Sequence, residues 1–376
     1  MVAALVLAAC GSDDESSSEP PATEAPPATE APSDSAAPTD SAAPSDTEAP
    51  SGTEASSDEM DCPASDPLTL NVAAIAGTRA MTTGLWLGVA EKAGILEEEN
   101  LEFSIVDFRS SADVNNGLLS GEIDVAVNGS GGIVATAQGG DVLGIGGVVD
   151  ASVWEPLFDP DKISSWEDIE GKTVAVSSQS GVVWAVLGTW LEELGLTYDD
   201  IDPVIIGSTF ENFAALKAGQ VDWIPGAAPV TFIGEDEGLE RLGFATPGNG
   251  VPLYTAGYLS TTGAFAEENP DSVVRFMQAW IKTAEWAKDP ANREELIDIV
   301  VEQSEVDRSV AERSMEQYLD GDIHSDYFLP TDGLINEESL QNLVDSMVEQ
   351  EILDEPIAIS ELWTDEFALQ ATACAK

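Results

Sequence analysis

Bases are scarce in this chain: 14 Lys and Arg stand against 70 Asp and Glu, a formal charge of −56 over 376 residues. Such a surface repels a phosphate backbone, which excludes nucleic-acid binding, and it argues against electrostatic docking on anionic lipid. Histidine is scarcer still, with a single copy at position 324. Cysteine occurs three times, at 10, 62 and 374, without any CxxC pair. With no His/Cys cluster, neither a zinc site nor a Cys–His nucleophile can be assembled, and nothing calls for a cofactor. The nine uncharged residues that precede Cys10 fall short of the roughly 20 apolar residues that cross a bilayer.

Against these shortages stand 43% hydrophobic residues and nine Trp, enough for one large or two medium domains. They are unevenly spread. Residues 11–61 repeat units such as PATEAP and APSDSAAPTD, and carry 14 acids and no base. A segment so poor in large apolar groups cannot offset the entropy of ordering, so a disordered tether is expected there. As a coil it would span roughly 40 Å r.m.s.. The rest of the chain still holds 56 acids against 14 bases, a balance that favours solubility rather than naming a ligand.

From Leu68 the pattern turns regular. LTLNVAAIAG reads as a buried strand, TTGLWLGVAEKAG as a helix closed by Gly94, and LEFSIVDF as the next strand. SADVNNGLLSG is a short helix, followed by the strand EIDVAVNG and a GSGG loop. The order then restarts with a strand at Thr173–Ser177, a polar loop, a long helix and a further strand. Leu119-Ser120-Gly121-Glu122-Ile123-Asp124 is echoed by Lys217-Ala218-Gly219-Gln220-Val221-Asp222. Alternating strands and helices, given twice, imply two α/β lobes with parallel sheets and ligand loops at the strand C-termini. After Tyr258 the chain reads as mostly helical.

Two resemblances follow from these residues. Leu7-Ala8-Ala9-Cys10 resembles the lipobox of exported bacterial lipoproteins, which implies that Cys10 carries a lipid and that the protein is extracytoplasmic and membrane-anchored. The leader has no basic n-region and is short, so a start upstream of residue 1 is expected. GEIDVA at 121–126, ISSWEDIEGKTVAV at 163–176, ALKAGQVD at 215–222 and the helix NPDSVVRFMQAWIKTAEWAKDP resemble the substrate-binding proteins of ABC importers. The group is that of nitrate, sulfonate, taurine and thiamine-pyrimidine precursors, and the resemblance runs from Leu68 to Glu302.

That resemblance implies a type II periplasmic-binding-protein-like fold with residues 68–150 as lobe one, 262–376 returning to it, and 160–254 as lobe two. The hinge is expected near 151–159 and 253–261. It implies a monomeric receptor, not an enzyme, that closes on a small anionic or aromatic solute and hands it to the permease subunits. Two alternatives stand beside it: a relative of pyrimidine-precursor-synthesising enzymes, whose histidine and cysteines are missing here, and a surface lipoprotein without a transport role.

The expected ligand set comes from the loops after the strands. Thr78 and Arg79 precede the first helix, where backbone N–H groups and a guanidinium suit an anion; the alternative is a solvated surface arginine. Ser178, Ser180 and Gly181 open the lobe-two helix, where Ser180 also suits an N-cap. Asn128, Gly129 and Ser130 follow EIDVAV and permit a close backbone approach, or merely a tight turn. Trp184 and Trp223 can each stack on a flat ligand or fill a core, and Trp86 and Trp190 are similarly ambiguous. Ala228 precedes Pro229 where the resembled family often has an acid or an aromatic, which weakens the case for an ammonium ligand. His324 has no expected role. Export together with a C-terminal return to lobe one implies a disulfide between Cys62 and Cys374.

Overall fold

The computed structural model describes residues 62–75, 79, 83–179, 181–242, 252–321 and 326–374. The leader with Cys10 and the acidic segment 11–61 lie outside the described residues, as do Thr78, Ser180 and His324.

Two five-stranded mixed sheets organise the chain. The first is built from β1 (Leu68–Ile75), β2 (Leu101–Phe108), β3 (Val125–Asn128) and β4 (Leu143–Val149), joined by α1 (Leu85–Lys92), α2 (Ile95–Glu98), α3 (Ser111–Ser120) and α4 (Gly131–Ala137). The second holds β5 (Glu155–Phe158), β6 (Thr173–Val176), β7 (Asp202–Ile205), β8 (Trp223–Gly226) and β9 (Glu240–Arg241), with α5 (Gly181–Glu193), α6 (Thr209–Lys217) and α7 (Val230–Asp236) between them. The chain then returns as β10 (Gly257–Thr261), which inserts antiparallel between β3 and β4 of the first sheet. The remaining helices are α8 (Gly263–Glu268), α9 (Pro270–Lys288), α10 (Arg293–Ser304), α11 (Arg308–Met315), α12 (Glu337–Glu349), α13 (Ile359–Leu362) and α14 (Glu366–Cys374).

Strand orders are β2-β1-β3-β10-β4 and β7-β6-β8-β5-β9. Within each, the parallel run β1–β3 or β6–β8 points the strand ends and their loops to one side. Two chain segments, 150–154 and 252–256, cross between the sheets. The segments expected as hinges, 151–159 and 253–261, therefore contain the whole of β5 and β10.

The repeated G-x-x-D turn has a structural cause. Gly121 and Gly219 close α3 and α6 at φ of 73° and 69°, left-handed positions that cost other residues energy. Three residues on, the Asp124 carboxylate accepts the Asn71 N–H at 2.8 Å, and Asp222 accepts the Thr173 N–H at 3.0 Å. Each aspartate thus clips the neighbouring parallel strand, Asp124 in the middle of β1 and Asp222 at the start of β6, and Asp222 also pairs with Lys162 at 3.0 Å.

The apolar core of the first sheet continues into α8–α11 and α14. Not all of 262–376 sits there. The buried face of α12, Leu340, Leu343, Val344 and Met347, joins the core around α5 on the second sheet. That face is an apolar stripe at helical spacing, and the equally apolar α5 is the surface that covers it. At the two ends of the described chain, Cys62 and Cys374 form a disulfide with Cα atoms 5.6 Å apart, tying α14 to the segment that enters β1. Among the described residues, no helix is long and apolar enough to cross a membrane.

Candidate functional site

The loops that leave the parallel strands of both sheets approach one another. The sharpest contact is at Gly181, the first residue of α5, at φ 73°: a Cβ there would lie 2.3 Å from the Ser130 hydroxyl. Ser130 leaves β3 of the first sheet and Gly181 follows β6 of the second, so two of the loops singled out by sequence meet across the gap. A side chain at Gly181 would require the Ser130 hydroxyl to move, and its left-handed backbone would be strained for other residues.

Asn128 builds this mouth rather than facing it. It is buried, its amide N–H groups donate to Asn115 Oδ1 at 2.7 Å and to Ser260 Oγ at 3.3 Å, and its Oδ1 accepts the Gly129 N–H at 2.9 Å. Asn115 in turn donates to the Gly131 carbonyl at 2.9 Å. The Gly129-Ser130 turn is thereby fixed by a network within the first sheet. Ser178 is half-buried at the end of β6.

Arg79 has a partner of its own. Its guanidinium pairs with Asp107, at the end of edge strand β2, at 3.1 Å, while its buried Nε lacks a hydrogen-bond partner. The two candidate tryptophans part company. Trp223 is fully buried, edge-to-face with Trp166 at 5.4 Å, inside the second-sheet core. Trp184 stacks flat on Tyr198 at 4.1 Å and lines a cavity between α5 and α12. Trp86 is likewise core, edge-to-face with Phe328 at 5.8 Å.

Sequence reasoning missed the groups that join the sheets. Asp150, in the first crossing, is buried and lies near the hydroxyls of Thr255, in the second crossing, at 3.4 Å, and Ser339, on α12, at 3.3 Å. Burial raises its pKa to about 7, against the opposing pull of those hydrogen bonds. Glu155, fully buried at the start of β5, is also raised by burial, and Arg241 partly offsets this through contacts at 3.1 and 3.0 Å. On the far side, the Tyr318 hydroxyl donates to the Ala228 carbonyl at 3.1 Å, and Arg313 of α11 pairs with Glu235 and Asp236 of α7. None of these groups belongs to a short sequence pattern; each partner is distant in sequence.

Comparison with known proteins places this geometry. A Bacillus subtilis (strain 168) protein provisionally named as aliphatic sulfonates-binding is 25% identical over 231 residues, 58% of this chain and 65% of that protein's length, just under two thirds. The periplasmic aliphatic sulphonate binding protein SsuA of Escherichia coli superposes with a TM-score of 0.59 at 21% identity, over 80% of this chain and 93% of that one. The desulfurization enzyme DszB superposes with a TM-score of 0.60 at 16% identity, over 82% and 99%. These structural likenesses are of fold, the type II periplasmic-binding-protein architecture of two mixed five-stranded sheets. Residues 84–293, more than half of the chain, match the family described as NMT1/THI5 like, and to that family the chain belongs.

Proposed function

We propose that this protein is an extracytoplasmic solute receptor that takes a small organic or inorganic anion, of the sulfonate or nitrate class, or an aromatic solute, between its two sheets and delivers it to an ABC importer. The observation that carries this reading is the meeting of Ser130 with Gly181 at the strand ends of two sheets joined by two crossings. The names borne by the Bacillus subtilis and Escherichia coli proteins support the ligand class. In this reading the crossings at 150–154 and 252–256 are the hinge. Gly129, Ser130, Ser178 and Gly181 supply N–H and O–H donors, Arg79 adds a guanidinium from the loop after β1, and Cys10 carries the lipid anchor; Thr78 and Ser180, also expected in the ligand set, lie outside the described residues.

An enzymatic reading has one observation in its favour, the DszB likeness. The single histidine at 324 and the bonded state of Cys62 and Cys374 leave few candidates for a nucleophile or general base. A thermal-shift screen with alkanesulfonates, nitrate, aromatic carboxylates and pyrimidines tests the receptor reading. A ligand at about 100 times its Kd should add about 2.7 kcal/mol of stability. No shift from any of them would overturn it, and turnover of a shifted compound would favour the enzyme.

A further inference from the structure

The cavity between α5 and α12 has a chemistry opposite to that proposed for the mouth. It encloses about 590 Å³, within the range of small-molecule sites, about 300–1,000 Å³. Its α5 wall runs from Trp184, three residues beyond Gly181, to Glu192, eleven beyond, about 5 to 16 Å along the helix axis from the mouth. Glu349 ends α12 and Glu351 follows it, and among the described residues no Lys or Arg lines the cavity. Three carboxylates without a base repel the anion proposed for the mouth.

The other walls are equally specific. Trp184 and Tyr198 lie 4.1 Å apart at 8° to one another, and the Tyr198 hydroxyl donates to the Trp184 carbonyl at 2.8 Å. Gly188 makes room for this stack, because a Cβ there would lie 2.3 Å from the Tyr198 hydroxyl. Tyr254, from the second crossing, closes another side, with its hydroxyl 3.4 Å from that of Thr189. Gln350 donates its Nε2 to Ser346 at 2.7 Å, and its Oε1 is left buried without a partner. An orphaned buried acceptor costs free energy until a donor reaches it.

We propose that this cavity is a second binding site, selective for organic cations that carry N–H donors: an alkylammonium, polyamine or guanidinium compound. The aromatic stack offers its π-face to the positive charge, worth about 0.5–2 kcal/mol. The carboxylates accept its charged N–H groups, and Gln350 Oε1 gains the donor it lacks. The carboxylates lie at the end of the cavity away from the mouth, and the proposal does not depend on the receptor reading.

The test is calorimetric titration of the full chain with agmatine and with spermidine in about 0.15 M NaCl, where diffuse surface attraction is screened beyond about 8 Å. One-to-one saturation by at least one of them is expected. The pair Glu192→Gln and Glu349→Gln, both at exposed positions, should weaken it at least tenfold. The control pair Glu97→Gln and Glu294→Gln, away from the cavity, should change it less than twofold, and thermal melts show that all variants fold. Absence of saturation by both cations, or equal weakening by both pairs, would overturn the proposal. Sulfonate or nitrate binding measured on the same variants should stay unchanged, so a failure here is distinguishable from a failure at the mouth.

Discussion

Asp150 is a carboxyl buried where both crossings and α12 converge, and its pKa stands near 7 against an ordinary 3.8. The folded protein therefore keeps a proton there that the unfolded chain has already released. This group's contribution to stability falls as pH rises from about 4 to about 7, and levels off above that. Asp150→Asn should remove the fall, so the variant should lose less stability than the parent between about pH 5 and 8 in urea titrations. Parallel curves for the two proteins would contradict the assignment. No sequence pattern announces such a residue, since Thr255 and Ser339 reach it from 105 and 189 positions away. The tryptophans teach the same lesson: Trp184 and Trp223 both follow plausible site motifs, yet only tertiary packing decides that one is at a cavity and the other in a core.

Elements were legible where apolar runs end at turn residues, as in β1 and β3, or alternate with polar residues, as in β2. The strands β1, β2 and β3, the helix closed by Gly94, and the echo of α3–β3 in α6–β8 follow from periodicity and turn residues alone. Strand β4 is harder to see because its glycines serve packing: a Cβ at Gly147 would lie 2.3 Å from the Leu334 carbonyl and one at Gly146 2.4 Å from the Met277 methyl. Strand β10 is buried at all five positions yet reads GYLST, so neither alternation nor an apolar run betrays it. The G-x-x-D turn carries a prediction at this scale. Asp222→Ala removes the acceptor for the Thr173 N–H and the partner of Lys162, and should cost about 1–3 kcal/mol in urea unfolding. Asp124→Ala, whose clip to Asn71 is more exposed, should cost less; the reverse order would argue against the clip as the reason for the repeat.

At the scale of the molecule, three kinds of tie act together. The Cys62–Cys374 bridge encloses a separation of 312 residues, which in the chain-entropy account is worth up to about 5–6 kcal/mol. Calorimetry of Cys62→Ser should show a clear drop in Tm that reductant reproduces in the parent protein; a Tm indifferent to reductant would leave the bridge without a stabilising role. Tyr318 and Arg313 hold the second-sheet helix α7 to the C-terminal helices. Exposed ion pairs contribute little singly, about 0.2–1 kcal/mol, so Arg313→Ala should raise the solution radius of gyration only slightly, and adding Tyr318→Phe should raise it further. The third tie is the mouth itself, and the central claim rests there. Calorimetric titration with alkanesulfonates and nitrate, on the parent protein and on Ser130→Trp, tests it most directly. One-to-one binding of at least one anion, weakened tenfold or more by the bulky side chain at the Ser130–Gly181 contact, is the expected result; no binding by the parent, or an affinity untouched by Ser130→Trp, would contradict it.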